Sequence, residues 1–158
     1  MAAPSLNKKT WIIRNMNDKT RSNKAKRDKG SILADTKNLL YVLHPALQHM
    51  PKIERIEGAP CEMKRACYDL IHHFTTGIEC PEVRLESIHK MFGDFGTLLA
   101  CFELCIQFGL FTDSEKLRIA MQLERIEEGI RKWRNATRQP KSQERQEVAD
   151  EELAVGID

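Results

Sequence analysis

Residues 112–133 read TDSEKLRIAMQLERIEEGIRKW, and this stretch decides the fold predicted for the chain. Its first four residues, Thr112-Asp-Ser-Glu115, have the spacing of a capping box, in which a hydroxyl and a carboxylate satisfy two free backbone N–H groups reciprocally. Apolar residues then recur every three to four positions, which is the period of one helix face. The residues predicted to point inward are Leu117, Ile119, Ala120, Leu123, Ile126, Ile130 and Trp133. The stretch therefore predicts a capped amphipathic helix that buries one face.

Three segments upstream show the same apolar period, at residues 32–50, 60–76 and 81–108. Ser31 stands where the first of these helices needs an N-cap. Pro45 lies inside that helix and has no backbone N–H, so we expect a kink or an early end there. The third segment is apolar on more than one side near its end, which indicates burial against several neighbours.

Glycine and proline mark the connections between these helices. The segment 51–60 is predicted to be a link or a short helical turn, and Pro60 suits the first position of the next helix. Gly77 and Gly109 are predicted to end the second and third helices. Two further glycines inside the third helix are predicted to allow close approach of another helix, namely Gly93 and Gly96.

Composition agrees with an all-α fold. The chain has 158 residues, of which 41% are hydrophobic, 30% charged and only 6% aromatic. This balance suits amphipathic helices better than a sandwich or barrel, and the length suits one domain with tails. Four helices with short connections predict an antiparallel up-down four-helix bundle over residues 31–138. Trp133 is predicted to be a packing anchor at the end of this bundle.

The formal net charge of +2 hides a polarity along the chain. Residues 1–30 contain nine Lys or Arg against two Asp. Apart from Trp11, Ile12 and Ile13, this stretch has too little apolar surface to offset the entropy of ordering it. Residues 139–158 reverse the sign, with six Asp or Glu against two Lys or Arg. The sequence therefore predicts a flexible basic arm before the bundle and an acidic, disordered tail after it.

Cysteine usage and the absence of long apolar runs bear on the compartment. The five cysteines are an odd number, and four lie in the apolar rows of predicted helices, so no disulfide framework follows. No apolar run is long enough to cross a bilayer, and no signal-peptide stretch follows the first basic residues. We therefore expect a cytoplasmic protein without a membrane partner.

Residues that could carry catalysis or bind a metal are present, but their spacing is not that of a known site. Cys101 and Cys105 lie one helical turn apart, a spacing that could offer two metal ligands. The histidines available as partners are His72, His73 and His89. No second pair with zinc-ligand spacing accompanies them, so buried thiols are the favoured interpretation. Neither an oxyanion donor array nor a third orienting group can be placed for a Cys-His nucleophile. We therefore predict no enzyme activity, no cofactor and no metal.

The order of several short signals resembles a bacterial family of four-helix bundles. Residues 51–58 read PKIERIEG and residues 62–71 read EMKRACYDLI, similar to that family's opening of Pro-Lys, Arg, Gly, Glu-Ile-Arg and an aliphatic residue. Near the end, LERIEEGIRKW is similar to the family's closing helix, where Gly129 and Trp133 match a Gly-x-x-x-Trp ending. The resemblance covers about residues 39–136. This family includes proteins encoded in intervening sequences of large-subunit ribosomal RNA genes and the accessory variability determinant (Avd) of diversity-generating retroelements.

The resemblance implies a barrel-like homopentamer of bundles with a positively charged outer surface. It also implies that the chain binds RNA or DNA and associates with the retroelement's reverse transcriptase during mutagenic copying, without being a catalyst itself. Basic residues on such a surface would release counterions on contacting phosphates. The residues expected to bind nucleic acid are Lys52, Arg55, Lys64, Arg65, Arg131, Lys132, Arg134 and Arg138.

Two other interpretations compete with this one. Charge runs are usually solvated surface, and the chain could be a protein-interaction adaptor whose bundle faces and charged tails engage only a protein. It could also be a bundle of the ribosomal RNA intervening-sequence type, with no reverse transcriptase partner. Binding to nucleic acid tests the first alternative, and the neighbouring genes distinguish the second.

Overall fold

The computed structural model describes residues 31–138, and this range is built from helices. In chain order the elements are α1 (Ile32–Gln48), α2 (Lys52–Ile56), α3 (Ala59–Glu79), a 3-10 turn (Pro81–Val83), α4 (Arg84–Gln107) and α5 (Asp113–Arg138). The predicted arm at 1–30 and the predicted tail at 139–158 lie outside the described residues.

The four long helices pack in a ring. Helix α3 packs most extensively on α4, α4 contacts α5, and α1 lies between α5 and α3. Consecutive long helices run in opposite directions, which confirms the prediction of an antiparallel four-helix bundle. We call the end where α1 begins and α5 finishes the terminal end. The opposite end, formed by α2, the start of α3, the end of α4 and the start of α5, is the far end.

A single core of apolar side chains fills the centre of the ring. Its fully buried members come from all four long helices and include Leu39, Leu43, Met63, Leu70, Ile88, Met91, Leu98, Ile119, Ile126 and Ile130. Burial of each such side chain contributes about 1.5–3 kcal/mol. Leu117, predicted to point inward on α5, is exposed instead. It precedes the buried Ile119 by two positions, which places it about 200° around the helix from that residue.

The starts of α1 and α5 and the end of α4 follow the sequence signals. Ser31 caps α1, because its Oγ accepts a hydrogen bond of 3.1 Å from the Ala34 N–H. In the capping box of α5, the Glu115 N–H donates to Thr112 Oγ1 at 3.2 Å and the Thr112 N–H donates to Glu115 Oε2 at 2.8 Å. Gly109 follows α4 with a φ of +66°, a conformation that favours glycine. All three predictions are confirmed.

The prediction for Gly77 is wrong, and no helix of the described chain approaches Gly93 or Gly96. Helix α3 continues through Gly77 to Glu79, so Gly77 does not stop it. A β-carbon at Gly77 would lie 2.8 Å from Trp133 Cη2 and 3.1 Å from Ser87 Cβ, so this glycine permits close packing. Conversely, a β-carbon at Gly93 or Gly96 would meet nothing within 4 Å. Within the described chain, close approach of another helix therefore occurs at Gly77, where the sequence predicts a stop.

The prolines fit the helices with small adjustments. Pro45 is exposed, and α1 continues past it to Gln48, so the early end does not occur. Solvent can hydrogen-bond the carbonyl that the missing N–H leaves unpaired on this outer side. The segment after α1 forms the short helix α2, as predicted, and Pro60 is the second residue of α3. Between residues 31 and 138, no helix combines the length and apolar character needed to cross a membrane.

Candidate nucleic-acid interface

The terminal end brings the first and last described turns of the chain together. A β-carbon placed on Gly129 in α5 would lie 2.9 Å from Ile32 Cγ1 in the first turn of α1. Helix α5 continues for nine more residues to Arg138, which extends it by about 13 Å. The segments 1–30 and 139–158 therefore attach to the same end of the bundle.

Trp133 anchors this end, as predicted. Its ring centroid lies 5.1 Å from that of Phe74 in α3, and the two rings are tilted by 55°. The indole also lies against Gly77, where no side chain competes for the space. Helix α5 thus reaches across the ring to α3 through one aromatic side chain, which fixes the direction of its last turns.

Arg134 is held against the bundle by an aromatic contact. Its guanidinium carbon lies 4.9 Å from the centroid of the Phe92 ring in α4, within the range of a cation-π interaction. Its Nε is buried and has no hydrogen-bond partner among the described residues. The packed stem leaves the outer nitrogens as the part that could meet a phosphate.

The neighbouring cations at the terminal end lie beside carboxylates one turn earlier in α5. Arg131 donates a hydrogen bond of 2.7 Å to Glu127, and Lys132 lies 2.8 Å from Glu128. Pairs of this exposed i,i+4 kind contribute about 0.3–0.5 kcal/mol. A phosphate can therefore compete for these cations at little cost. Arg138, the last described residue, is exposed and forms no ion pair with residues 31–137.

The other four residues predicted to bind nucleic acid lie toward the far end. Lys52 and Arg55 are exposed on α2, whereas Lys64 is half-buried on α3. Arg65, also on α3, lies 3.1 Å from Glu62. From residue 65 to the level of Trp133, marked by Gly77, the helix runs 12 residues, or about 18 Å. The structure therefore divides the eight predicted residues into two groups of four and does not bring them into one patch.

The described bundle is nearly neutral. Residues 31–138 contain 14 Lys or Arg and 15 Asp or Glu, a formal net charge of −1. Residues 1–30 have a formal charge of +7 and residues 139–158 have a formal charge of −4. The excess positive charge of the chain is therefore in the segment that leads into α1, and the bundle alone has no net positive charge.

A histidine–aspartate pair links α3 to α4 on the outside of the ring. His73 Nδ1 lies 2.6 Å from Asp94 Oδ2, and both side chains are mostly buried. Burial raises the pKa of the Asp94 carboxyl, although the hydrogen bond and charge of His73 oppose this change. The His72 ring packs edge-on against His73, with centroids 5.4 Å apart. Sequence reasoning missed this pair, because 21 residues separate its members and no local pattern connects them.

The five thiols are all free, and two are buried in the core. Burial raises the pKa of Cys67 and of Cys105 to about 12, so both are protonated at neutral pH. The Cys105 Sγ lies 3.9 Å from Met63 Sδ. A protonated, buried thiol is neither a good nucleophile nor a good metal ligand. In the part of the chain that the structure describes, no group of three or more His, Cys, Asp or Glu side chains is arranged to hold a metal ion.

Asp35 is a buried carboxyl near the start of α1, and the sequence pattern did not predict it. Its side chain is 5% exposed, in a position that the helix period assigns to the core. Burial raises its pKa, and the charge of Arg125 in α5 partly opposes that effect. The carboxyl therefore lies on the side of α1 that packs toward α5, at the terminal half of the bundle.

The far end exposes apolar side chains beside the cations of α2. Ile53 and Ile56 of α2 are 60% and 53% exposed, and Phe108, after α4, is 62% exposed. Leu104, one turn before Phe108, is also exposed. An apolar surface of this kind on a small bundle is a feature of protein contacts.

Comparison of the chain with protein-family models, with curated proteins and with solved structures gives no significant match in any of the three.

Proposed function

We propose that this protein is a non-catalytic, nucleic-acid-binding accessory protein of a reverse transcriptase, of the accessory variability determinant type. The resemblance of residues 39–136 to that family is the ground for naming the partner enzyme. The position of the charge is the ground for naming nucleic acid. The bundle acts as a scaffold that holds a basic segment at one end.

The observation that carries the proposal is that two sets of cations are joined to the bundle at the terminal end. The nine Lys and Arg of residues 1–30 lead directly into Ser31, and α1 begins beside Gly129 of α5. The last two turns of α5 then add Arg131, Lys132, Arg134 and Arg138 without an acidic residue among them. A row of cations connected in this way can follow a phosphate backbone and release its counterions.

The first test is the salt dependence of binding to a labelled single-stranded RNA by the full chain. Each phosphate neutralised contributes about 0.7 to the slope of log K against log salt for single strands. We expect the variant Lys24→Gln, Lys26→Gln, Arg27→Gln, Lys29→Gln to lower that slope by up to about 3. Fluorescence anisotropy between 50 and 300 mM salt measures it.

The matched control neutralises four cations of the bundle that are not among the residues proposed to bind nucleic acid, with Lys37→Gln, Lys90→Gln, Lys116→Gln and Arg118→Gln in the full chain. This variant has the same net charge as the first, so a general effect of charge would lower both slopes equally. We expect a much smaller change in the control. Binding that does not depend on salt, or an equal change in both variants, would contradict the proposal.

The reverse transcriptase partnership and the homopentamer both come from the resemblance, and each has its own measurement. Co-purification of the full chain with the reverse transcriptase encoded beside its gene, after nuclease treatment, tests the partnership. Native mass spectrometry tests the assembly, for which we expect five copies. Five copies would bring five basic segments onto one particle and steepen its salt dependence in proportion.

A protein-interaction adaptor is the second candidate, and one observation favours it. The bundle itself is nearly neutral, and its far end exposes Ile53, Ile56 and Phe108. In this interpretation the bundle engages a protein and no nucleic acid. The variant Ile53→Ser, Phe108→Ser would then abolish capture of the reverse transcriptase, and the wild-type chain would give no mobility shift with RNA or DNA. A shift by the wild-type chain rejects this candidate.

A further inference from the structure

The short helix α2 exposes an apolar pair that the bundle does not cover. Ile53 and Ile56 are both more than half exposed. They are three positions apart, or about 60° around a helix, and therefore share one face. Glu54, by contrast, is half-buried, and a β-carbon at Gly58 would collide with its Oε2. Glu54 thus faces the start of α3, whereas the isoleucine pair faces solvent.

Two opposite charges border this apolar pair. Lys52 lies four positions before Ile56, which places it about 40° to one side of the pair. Glu57 lies four positions after Ile53, about 40° to the other side. Both charged side chains are exposed, and neither has an ion-pair partner among residues 31–138. We call Lys52, Ile53, Ile56 and Glu57 the α2 face.

The α2 face is complementary to a second copy of itself. The order of residues 52–57 is that of positions g, a, b, c, d and e of a coiled-coil heptad. In parallel paired helices the a and d positions form an apolar seam, and the g position of one helix pairs with the e position of the other. A twofold axis along α2 would therefore place Lys52 of each copy beside Glu57 of the other copy. Such a contact is isologous, because both copies use the same surface.

Apolar side chains at the end of α4 enlarge the uncovered surface. Leu104 and Phe108 are exposed and lie one helical turn apart. Burial raises the pKa of Cys105, between them, to about 12, and the charges of Cys101 and Glu54 add to this effect. Because the charge of Glu54 reaches Cys105, α2 and the end of α4 lie close enough at the far end for one molecule to cover both. Exposed apolar surface of this kind marks a contact site.

We propose that the α2 face binds a second copy of this chain across a twofold axis, with the two α2 helices parallel. A second copy is the occupant because the charges of the face complement themselves. The surface is small for a specific protein contact, so we expect a dissociation constant above about 10 μM. A ring of five copies uses two different surfaces of each copy, so this contact is additional to the proposed pentamer and would join two particles.

Charge exchange tests the pairing, with sedimentation velocity of the full chain from about 5 to 500 μM at 50 mM salt. Lys52→Glu alone, or Glu57→Lys alone, places like charges together at both symmetry-related contacts. We expect each variant to weaken association about tenfold. The double variant Lys52→Glu, Glu57→Lys restores opposite charges and should associate as wild type does. An equimolar mixture of the two single variants should also associate, because each supplies the charge that the other lacks.

Matched controls separate the contact from general effects of charge and exposure. Lys37→Glu and Glu79→Lys reverse exposed charges in the terminal half of the bundle and should leave association unchanged. Ile56→Ser should weaken association about tenfold, whereas Ile78→Ser should not, although the two isoleucines are similarly exposed, at 53% and 51%.

The charge reversals should leave α2 folded. Glu at position 52, the first residue of α2, and Lys at position 57, after its last, both suit the helix dipole. Loss of association would therefore not come from loss of the helix, and circular dichroism checks that the helix content is unchanged.

Two results would overturn the proposal. One is a wild-type chain that keeps the same mass at every concentration. The other is a double variant that loses association together with the single variants, since the surface would then fit a different molecule and not itself. The contact does not rest on the proposed function. Self-association without RNA binding would leave the contact standing, and salt-dependent RNA binding without self-association would leave the proposed function standing.

Discussion

The two ends of the bundle are built from the same helices but expose different chemistry. At the far end, Phe111 is buried with its ring centroid 6.2 Å from that of Phe102, and apolar side chains such as Phe108 face outward. At the terminal end, Trp133 fills the space beside Gly77, and the last two turns of α5 carry Arg131, Lys132, Arg134 and Arg138. One continuous core therefore supports two ends whose exposed side chains differ.

The two ends also depend on different kinds of contact. The connection between α4 and α5 at the far end is fixed by two local signals, the capping box at Thr112 and the left-handed Gly109. The terminal end is fixed by side chains distant in sequence, Trp133 on Gly77 and His73 on Asp94. A substitution that destabilises one end should therefore leave the packing of the other end unchanged.

The largest expected effect is the loss of either aromatic anchor. Phe111→Ala and Trp133→Ala should each lower the free energy of unfolding by about 3 kcal/mol, since both leave a cavity that the neighbours cannot fill. Urea unfolding followed by circular dichroism measures the change.

The milder pair Phe111→Leu and Trp133→Leu tests whether the ends are independent. Phe111 precedes α5, and the 20 positions from Asp113 to Trp133 alone span about 30 Å, so the two losses should add within about 0.5 kcal/mol in the double variant. An interaction energy above about 1 kcal/mol would mean that the ends are coupled.

Loss of the capping box is the intermediate case. Thr112→Ala removes the hydroxyl that accepts from the Glu115 N–H and should cost about 1 kcal/mol. Ser114→Ala, in the same turn and exposed, is the control and should change stability little. Amide hydrogen exchange should become faster in the first turn of α5 and stay unchanged around Trp133. Faster exchange around Trp133 as well would contradict the independence of the two ends.

Asp35→Asn should give the smallest effect, a gain in stability at neutral pH. Because burial raises the pKa of Asp35 in the folded chain, the folded state binds this proton more tightly than the unfolded state. The group's contribution to stability is therefore fully present below the unfolded pKa of about 3.9 and is lost as pH rises through the folded pKa. The free energy of unfolding of the variant should equal that of the wild type near pH 3.5 and exceed it at pH 7.

Urea unfolding at the two pH values measures the Asp35 effect, with the exposed far-end variant Glu57→Gln as control. The free energy of unfolding of the control should differ from that of the wild type by the same amount at both pH values. If Asp35→Asn is less stable than wild type at pH 7, the attraction of Arg125 outweighs the burial cost, and the terminal half gains rather than loses from this carboxyl.

Much of the fold could be predicted from the sequence because its signals are local. The Ser31 cap, the capping box at Thr112 and the apolar period of α5 each lie within one or two helical turns, so a single sequence contains them in full. Trp133 could be assigned as an anchor because it continues the buried row.

The errors arise where the answer depends on a partner from another helix. Gly77 has the local appearance of a stop signal, but Trp133 of α5 lies against it, and α3 continues past it to Glu79. Gly93 and Gly96 are the opposite case. Their spacing predicts close approach of another helix, but no atom of the described chain lies within 4 Å of a β-carbon at either position. For the same reason, the sequence could suggest cations for the candidate site but not their division between two ends or their pairing with Glu127 and Glu62.

An even number of antiparallel helices returns the chain to the side from which it started, as the contact of Ile32 with Gly129 shows. A fused domain, an affinity tag or a solid support is therefore joined to the bundle on that side whichever terminus carries it. Ile53, Ile56 and Phe108 are exposed at the opposite end of the bundle. The affinity for a polyanion should consequently differ between tethered and untethered chains. The affinity for a molecule that binds at the far end should be the same for both.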